Sequence, residues 1–422
     1  MRVGIQTWGS EGDIRPFVAL GHALASRGHH VELLYTEIGA RRYEDVARSL
    51  GFTARAVASP VVADEQELFR IGLAAINTRN QLQQGLFISK RLLEPVIPQI
   101  YEAGLELAAR SDIFIHHFIV HAARAAADKA GTPFVTVAFA PMLTESRYIH
   151  PEGFPHLGGW MNAFGWKIAR LALNQTLLKD MNRFRARVGL PPVADLMNDG
   201  WASHRLHLLA SSPALLDRPA DWPPWNQLCG FLSLPSHEQE AVAQEVEAFL
   251  AGGPPPVFMG FGSLMPTSGP HLADAVAVFT RAAAMTGQRA IIQSEADLPS
   301  SDRILFVKRT PHALVFPRCA AVVHHAGAGT THTALKTGSI SIPVPHVSDQ
   351  FAWSDDLHRL GVAPAPLKRT RLNAKALASR IREAVGNARM KDNATATQLR
   401  MANDDGPGTA ARLVEHAARH KN

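Results

Sequence analysis

The sequence predicts an α/β protein of two doubly wound, Rossmann-like domains, each built on a parallel sheet. In both halves of the 422-residue chain a short apolar strand pattern comes first, at Val3 to Thr7 and at Val257 to Phe261, and strand and helix patterns alternate after it. Such alternation is typical of parallel sheets covered by helices on both faces. The length and the 46% hydrophobic composition are sufficient for two separate cores.

Charge and cysteine content exclude several classes of protein. The net charge of +6 is modest, and the basic residues are spread among acidic ones, which favours a small anionic ligand over a nucleic-acid groove. Cys229 and Cys319 lie far apart without a CxxC partner, so we expect two buried thiols and neither a disulfide framework nor a zinc ribbon. The sequence enters a strand pattern directly and has no run of about eighteen apolar residues, which predicts a cytoplasmic protein.

The first half predicts four strands and three helices before its long basic segment. The strands are Val3 to Thr7, His30 to Tyr35, Asp112 to His116 and Phe134 to Ala138, and the helices are Phe17 to Arg27, Leu92 to Ala109 and Val120 to Ala130. The loop Trp8 to Asp13 follows the first strand, where a doubly wound sheet opens into its ligand crevice. Its two acidic residues would repel a pyrophosphate, so the loop suits catalysis rather than nucleotide binding.

Two apolar insertions interrupt the first half, at about Asp64 to Ser89 and Pro141 to Arg170. They fit either helix cores or the wall of a site for a lipophilic molecule. The segment Trp160 to Arg187 is also basic and amphipathic, so contact with a membrane surface and a solvated helix face both remain open. His116, His117 and His121 lack a carboxylate or cysteine at ligand spacing, which disfavours a metal site.

The second half begins after a proline- and tryptophan-rich segment, Pro213 to Pro235. We place the domains at 1–233 and 234–400, with 401–422 as a final helix that crosses back to the first domain. The predicted strands of this half are Val257 to Phe261, Ala290 to Gln293, Ile304 to Val307 and Ala320 to Val323. The predicted helices are Glu238 to Leu250, Ala374 to Val385 and Thr409 to Arg419. Pro254, Pro255 and Pro256 end the first of these helices.

The stretch His324 to Gln350 has the pattern of an anion site. A buried strand ends at the histidines, Ala326 to Gly329 is a small-residue turn, and Thr330 and Thr331 are good helix-starting residues. The N–H groups of the first helical turn and the helix dipole favour a diphosphate there. Because adjacent strand residues point to opposite faces, His325 should face the phosphates while His324 packs, and a metal pair is disfavoured.

This stretch, HHAGAGTTHTAL followed by Asp349-Gln350, resembles the donor-binding signature of the nucleotide-sugar-dependent glycosyltransferases of the GT-B fold. The similarity spans nearly the whole chain and is closest to bacterial antibiotic and macrolide transferases and to sterol glucosyltransferases. The resemblance implies two domains that face a cleft, an N-terminal acceptor-binding domain and a C-terminal nucleotide-sugar-binding domain. It implies donor contacts from Ser10, Gly12, Ser263, Arg309, His325, Gly327, Ala328, Gly329, Thr330, Asp349 and Gln350.

The resemblance also implies a reaction. The Gly9 to Asp13 segment is similar to the family's Gly-Ser-x-Gly-Asp motif, whose aspartate is a general base, so Asp13 and His325 are the expected catalytic residues. Arg309 stands where plant relatives place a base-stacking tryptophan, which leaves UDP and dTDP donors open. The acceptor candidates are Trp8, Phe87, His117, Met142 and Trp160.

We therefore expect an inverting transfer of glucose or a related hexose to a hydroxyl of a lipophilic sterol, polyketide or macrolide. No cofactor or metal is expected, because the nucleotide sugar is a co-substrate and histidine and helix dipole can neutralise its phosphates. Two alternatives stay open. One is a nucleotide-sugar epimerase of the same fold, and the other is a catalytically silent nucleotide-binding partner of a transferase.

Overall fold

The protein is seen here as a computed structural model, and the structure describes residues 1–39, 41–61, 65–78, 81–140, 144–151, 154, 157–234, 241–262 and 269–419. The chain divides into two compact units. The first comprises Met1–Ile71, Arg79–Pro235 and Asp404–Asn422, and the second comprises Gly72–Thr78 and Ser236–Asn403.

The first unit is built on a parallel sheet, in which the described residues form seven strands. In chain order these are β1 Arg2–Gly9, β2 His30–Glu37, β3 Thr53–Ala56, β4 Ile113–His117, β5 Phe134–Ala138, β6 His207–Leu209 and β7 Asn226–Leu228. Their order in the sheet is β3-β2-β1-β4-β5-β6-β7, so the direction of winding reverses between β1 and β4. In doubly wound sheets, ligands bind at the carboxyl ends of the strands beside this reversal.

Helices cover both faces of that sheet. The helices of this part of the chain are α1 Glu11–Ala25, α2 Glu44–Ser49, α3 Glu65–Ile76, α4 Gln81–Ile88, α5 Ile97–Ala109, α6 His121–Ala130 and α7 Gly159–Arg187. The end of α3, from Gly72, falls in the second unit. The main core lies between α1 and the sheet, where Ile5, Phe17 and Leu33 are fully buried.

The second unit repeats the plan with a five-stranded parallel sheet in its described part. Its strands are β8 Val257–Met259, β9 Ala290–Gln293, β10 Ile304–Val307, β11 Ala321–His324 and β12 Ser341–Pro343, in the order β10-β9-β8-β11-β12. Its helices are α8 Gln244–Ala251, α9 Gly269–Thr286, α10 His312–Val315, α11 Ala328–Lys336, α12 Gln350–Arg359, α13 Ala374–Val385 and α14 Ala388–Met401. The winding reverses between β8 and β11. The predicted fold class, α/β with two doubly wound parallel sheets, is confirmed.

The last helix, α15 (Gly406–Arg419), belongs to the first unit. Its Glu415 accepts hydrogen bonds at 2.8 Å from Arg27 and shares a 2.8 Å contact with His29. Gly230 and Gly406 meet backbone to backbone, and a Cβ atom at Gly406 would strike the carbonyl of Phe231. The chain therefore returns to the first unit beside the point at which it leaves.

The structure corrects several predicted boundaries. Helix α1 begins at Glu11 instead of Phe17, because Ser10 caps it and Pro16 is accommodated within it. Asp13 consequently lies in the first turn of a helix and not in a loop. The helix predicted from Leu92 begins at Ile97, after a π and a 3₁₀ turn. The start predicted at Glu238 lies outside the described residues, and the described helix there begins at Gln244.

Some elements give no clear sequence pattern. Strands β6 and β7 have three residues each, too few for a periodicity, and β7 lies inside the proline-rich segment. Helix α14 is mostly polar, but Asn387 accepts a hydrogen bond from the Met390 N–H and starts it.

Both cysteines are free and buried, as predicted, and burial raises the pKa of each thiol to about 12. Among the helices of the described ranges, none combines the length and the apolarity needed to span a bilayer.

Candidate active site

The predicted site residues follow the strands at the two reversals of winding. In the first unit, Gly9 ends β1 and Asp13 lies in the turn of α1 that follows. In the second unit, Gly260–Gly262 follow β8 and His325 follows β11, which are neighbours in the sheet. Each unit therefore presents its predicted residues at the position where doubly wound sheets bind ligands.

Asp13 is fixed by the residue that caps its helix. Its Oδ2 accepts hydrogen bonds from the Ser10 backbone N–H at 2.8 Å and from the Ser10 hydroxyl at 3.1 Å. Its own carbonyl accepts from the Thr7 hydroxyl at 2.9 Å. Gly9 has φ 138°, and a Cβ atom there would overlap the Asp13 carboxylate. A glycine is needed at this position both for the backbone angle and for the space.

Burial raises the pKa of the Asp13 carboxyl from 3.8 to about 6, although the two hydrogen bonds from Ser10 act in the opposite direction. A carboxylate with a pKa near neutrality, at the ligand edge of a sheet, can accept a proton at physiological pH. Gly12, exposed in the same turn, has room for a side chain, since a Cβ atom would lie 3.7 Å from the Ser10 hydroxyl.

The structure does not gather the predicted acceptor residues into one surface. Trp8 is buried in an apolar cluster against which Phe87 packs. His117 is buried elsewhere, stacked on Phe139 at 5.1 Å, and burial lowers its pKa to about 3. Trp160 lies exposed on α7. Met142 is outside the described residues, and contact of the other four with an acceptor stays a prediction.

His324 and His325 have different surroundings. His324 is buried, and its Nδ1 accepts from the Ala326 N–H at 3.1 Å, so it holds the turn together. The half-buried His325 imidazole lies against Gly262 and Gly327. A Cβ atom added at Gly262 would lie 3.1 Å from the ring Cε1, and one added at Gly327 would overlap the ring Nε2. Burial lowers the pKa of His325 to about 4, so the ring is neutral at pH 7 and can donate one N–H.

The helix after the turn begins earlier than the threonines suggest. Gly327 is the N-cap, so Ala328, Gly329 and Thr330 form the first turn, and their backbone N–H groups include those without partners in the helix. Thr330 is half-buried, whereas Thr331 is fully buried. The outward-facing donors of the predicted anion site are thus the backbone N–H groups of residues 328–330. Ser263, the remaining phosphate candidate, is outside the described residues.

Asp349 and Gln350 lie at the start of α12, in the loop that follows β12. Asp349 is the N-cap, and its Oδ2 accepts from the Trp353 indole at 3.0 Å. The Gln350 Oε1 accepts from the backbone N–H groups of His346 at 2.9 Å and Val347 at 3.2 Å. The amide oxygen therefore braces the loop, and the NH₂ group is the part of Gln350 suited to a ligand.

Backbone strain is concentrated beside these residues. Among the described residues, Ala326 (φ 62°) and Ser348 (φ 51°) are the non-glycine residues with positive φ. Ala326 directly follows His325, and Ser348 directly precedes Asp349. Left-handed backbone costs of order 1 kcal/mol for such residues and is found preferentially at functional sites.

Arg309 lies beyond the end of β10 with an exposed side chain. Its Nε is 3.4 Å from the Glu295 carboxylate. A base-stacking role there stays a prediction.

One candidate, Arg369, is missed by the sequence interpretation. Its guanidinium lies over the Phe261 ring, 5.9 Å from the centroid, and its backbone N–H contacts the Pro345 carbonyl beyond β12. Burial, followed by the charges of His325 and Arg369, lowers the pKa of His346 to about 3, so each of these two groups acts on His346. No local motif surrounds Arg369; the pairing of its loop with the end of β12 brings it here.

Neither unit shows a metal centre in its described part, where no three His, Cys, Asp or Glu side chains are grouped to hold an ion. His121 instead contacts Glu94 at 3.3 Å, in the first unit.

Comparison with known proteins extends this picture. Residues 275–416 match the family described as Erythromycin biosynthesis protein CIII-like, C-terminal domain. The chain is 29% identical to O-mycaminosyltylonolide 6-deoxyallosyltransferase of Streptomyces fradiae, over 99% of this chain and 98% of that protein. It is 31% identical to vancomycin aglycone glucosyltransferase of Amycolatopsis orientalis, over 86% of each.

A sterol 3-beta-glucosyltransferase of Arabidopsis thaliana is 29% identical over 90% of this chain and 62% of its own length. The fold matches that of glycosyltransferase VinC, crystallised with dTDP, with a TM-score of 0.67, 19% identity and coverage of 100% of both chains.

Proposed function

The chain belongs to the nucleotide-sugar-dependent glycosyltransferases of the GT-B fold that include antibiotic and sterol transferases, and on this premise we propose that it is an inverting hexosyltransferase. Its donor is a UDP- or dTDP-sugar, and its acceptor is a hydroxyl group of a lipophilic sterol, polyketide or macrolide. The observation that carries the proposal is the Asp13 carboxyl, fixed by Ser10 at the ligand edge of its sheet with a pKa of about 6.

In the proposed reaction the acceptor oxygen attacks the anomeric carbon of the donor, and its proton passes to Asp13. The bond from that carbon to the diphosphate oxygen breaks on the opposite face, so the configuration inverts. The base must be ionised to accept a proton. With a pKa of about 6, Asp13 is mostly ionised at pH 7 and is a stronger base than an ordinary aspartate.

The leaving diphosphate gathers negative charge as the bond breaks. In the proposal, the N–H groups of residues 328–330 and the neutral His325 ring donate hydrogen bonds to it, and the dipole of α11 adds favourable charge. Asp349 and the Gln350 NH₂ group bind sugar hydroxyls, and Arg309 contacts the base. Support for a diphosphate ligand comes from the neutral, half-buried His325 and from Arg369, which lies over the Phe261 ring and, like His325, acts on His346. No metal ion is assigned a role.

The proposal is tested by incubating the protein with UDP- and dTDP-hexoses and a panel of lipophilic alcohols, and detecting products by mass spectrometry. Formation of a glycoside with inverted anomeric configuration is the expected result. Conversion of a nucleotide sugar without any acceptor would favour the epimerase instead. Nucleotide binding without conversion of any pair, and without effect of Asp13, would favour a silent partner.

The pH dependence of kcat/KM should report Asp13. Since the base must be ionised, kcat/KM should fall about tenfold per pH unit below the pKa, which is about 6. Ser10→Ala removes a hydrogen bond that favours the charged carboxylate, so the pKa should rise and the acidic limb should move to higher pH. The loss relative to wild type should be about two- to fivefold larger at pH 6 than at pH 8, where only the predicted donor contact of Ser10 is missing. An unshifted limb would contradict the assignment.

Arg369→Gln should weaken binding of UDP or dTDP by about three- to tenfold, because a half-buried cation beside the phosphates is lost. Arg371→Gln is the matched control, since Arg371 lies in the same 3₁₀ turn but is exposed. Titration calorimetry at two salt concentrations measures both variants. Equal affinity in the two would remove Arg369 from the site.

A further inference from the structure

The first three turns of α7 present an apolar stripe to solvent. Trp160, Phe164, Ile168 and Leu171, spaced four, four and three residues apart, lie on one face of the helix and are 73%, 58%, 44% and 60% exposed. Farther along the same face the side chains become polar, with Gln175, Lys179 and Arg183. The apolar stripe is therefore a bounded patch and not a property of the whole helix.

The opposite face of α7 is firmly anchored, so the exposure of the stripe is a feature of a packed helix. The Trp166 indole donates to the Ile149 carbonyl at 2.7 Å, and the Asn162 amide donates to the Arg147 carbonyl at 3.0 Å. At the other end, Arg185 is buried and pairs with Asp128 at 2.6 Å. Exposed apolar residues on an anchored helix mark a binding surface.

The charge of the helix indicates the kind of partner. Helix α7 carries six basic residues and one acid, Asp180. Arg185 and Arg170 are engaged with carboxylates of neighbouring segments. Arg183 pairs with Asp180 of the same helix at 2.9 Å. Lys167 lies at the border of the stripe, and Lys179 and Arg187 are exposed farther along the helix. A partner surface with apolar depth and negative charge complements this arrangement.

We propose that the stripe docks the protein on a membrane surface that contains anionic phospholipid. Trp160, Phe164, Ile168 and Leu171 enter the boundary between headgroups and acyl chains, where tryptophan is favoured, and Lys167 and Lys179 contact phosphate groups. A second copy of the chain would also cover apolar residues, but like-charged helices facing each other would repel, which favours the lipid surface.

The position of the stripe gives docking a use. Helix α7 is reached from the carboxyl end of β5, and this end lies on the same edge of the parallel sheet as the carboxyl end of β1, which Asp13 follows. The segment that leads into α7 and the proposed base therefore both follow strand ends on one edge of the sheet. Docking does not depend on which sugar or acceptor is used.

Flotation of the full chain with vesicles tests the proposal. Wild type should bind vesicles of phosphatidylcholine with phosphatidylglycerol, and bind phosphatidylcholine alone far more weakly. Trp160→Ser with Phe164→Ser should lower the partition coefficient at least tenfold. Lys167→Gln with Lys179→Gln should lower binding to anionic vesicles and its sensitivity to salt. Leu399→Ser is the control, because Leu399 is 70% exposed on α14 of the second unit.

Absence of wild-type binding to anionic vesicles, or unchanged binding of the Trp160/Phe164 variant, would overturn the proposal. Sedimentation velocity provides a further check. A wild-type dimer that this variant dissolves, without vesicle binding, would identify a second copy as the occupant and would also overturn it. If the apolar variant does not fold, as judged by near-UV circular dichroism, the lysine variant decides.

Discussion

Asp13→Asn should lower kcat by about a hundredfold or more, which corresponds to about 2.7 kcal/mol of transition-state stabilisation. The amide keeps the shape of the carboxylate but cannot take the acceptor proton. Affinity for UDP or dTDP should change little, because the substitution removes a base and not a phosphate ligand. Single-turnover kinetics with an identified acceptor, together with calorimetry, measures the two quantities separately.

Glu11→Gln is the matched control for Asp13. Glu11 lies two residues earlier in the same helical turn, and its carboxylate pairs with Arg15 and Arg41. Its loss should leave kcat within about twofold of wild type, because Glu11 pairs only with two partly exposed arginines and faces no reacting group in the proposal. If Asp13→Asn retained wild-type turnover, another group would have to accept the proton.

His325→Ala should weaken nucleoside diphosphate binding and lower kcat/KM by about tenfold or more, or about 1.4 kcal/mol, through the loss of a hydrogen bond to the diphosphate. The half-buried ring packs against Gly262 and Gly327, and its Nδ1 has no hydrogen-bond partner among the described residues, so the melting temperature should fall only slightly. Calorimetry with UDP and dTDP, and thermal unfolding, test both statements.

His324→Ala should show the opposite pattern. Its ring is buried and holds the Ala326 N–H, so its loss should destabilise the fold by about 1–3 kcal/mol. Binding of nucleoside diphosphate at a temperature well below unfolding should suffer less than in His325→Ala. Equal losses of affinity in the two variants would mean that the two histidines are not divided between ligand and scaffold.

Much of the fold could be predicted because periodicity and turn residues act locally. β5, β9, β10 and α13 have the predicted bounds. The predicted start of α1 was wrong. Pro16 is typical of a helix boundary, but the hydrogen bonds between Ser10 and Asp13 stabilise a helical turn that precedes Pro16. The three-residue strands β6 and β7 exist only because neighbouring strands pair with them.

The residues of the candidate site also differ in whether the sequence alone predicts them. His325 is predicted from the sequence because it belongs to a contiguous strand–turn–helix pattern, and Asp349 because it belongs to the segment that resembles the donor-binding signature. Arg369 has no such pattern, and only the tertiary pairing of its loop with residues beyond β12 brings it beside Phe261. Likewise, a two-residue motif could not show that the side-chain Oε1 of Gln350 accepts a hydrogen bond from the His346 N–H and stabilises the loop.

The contact between Gly230 and Gly406 makes the second unit, apart from Gly72–Thr78, an insertion into a host fold. The first unit is interrupted and continues at two backbones that are in contact. The packing of the first unit therefore does not require a fixed number of residues between them. Changes of length or sequence in the second unit can therefore accumulate without displacing α15 from its packing position on the first unit. Under the proposed function, in which the second unit binds the donor and the first unit binds the acceptor, exchange of the second unit between relatives, with junctions at these two glycines, would change the donor and keep the acceptor.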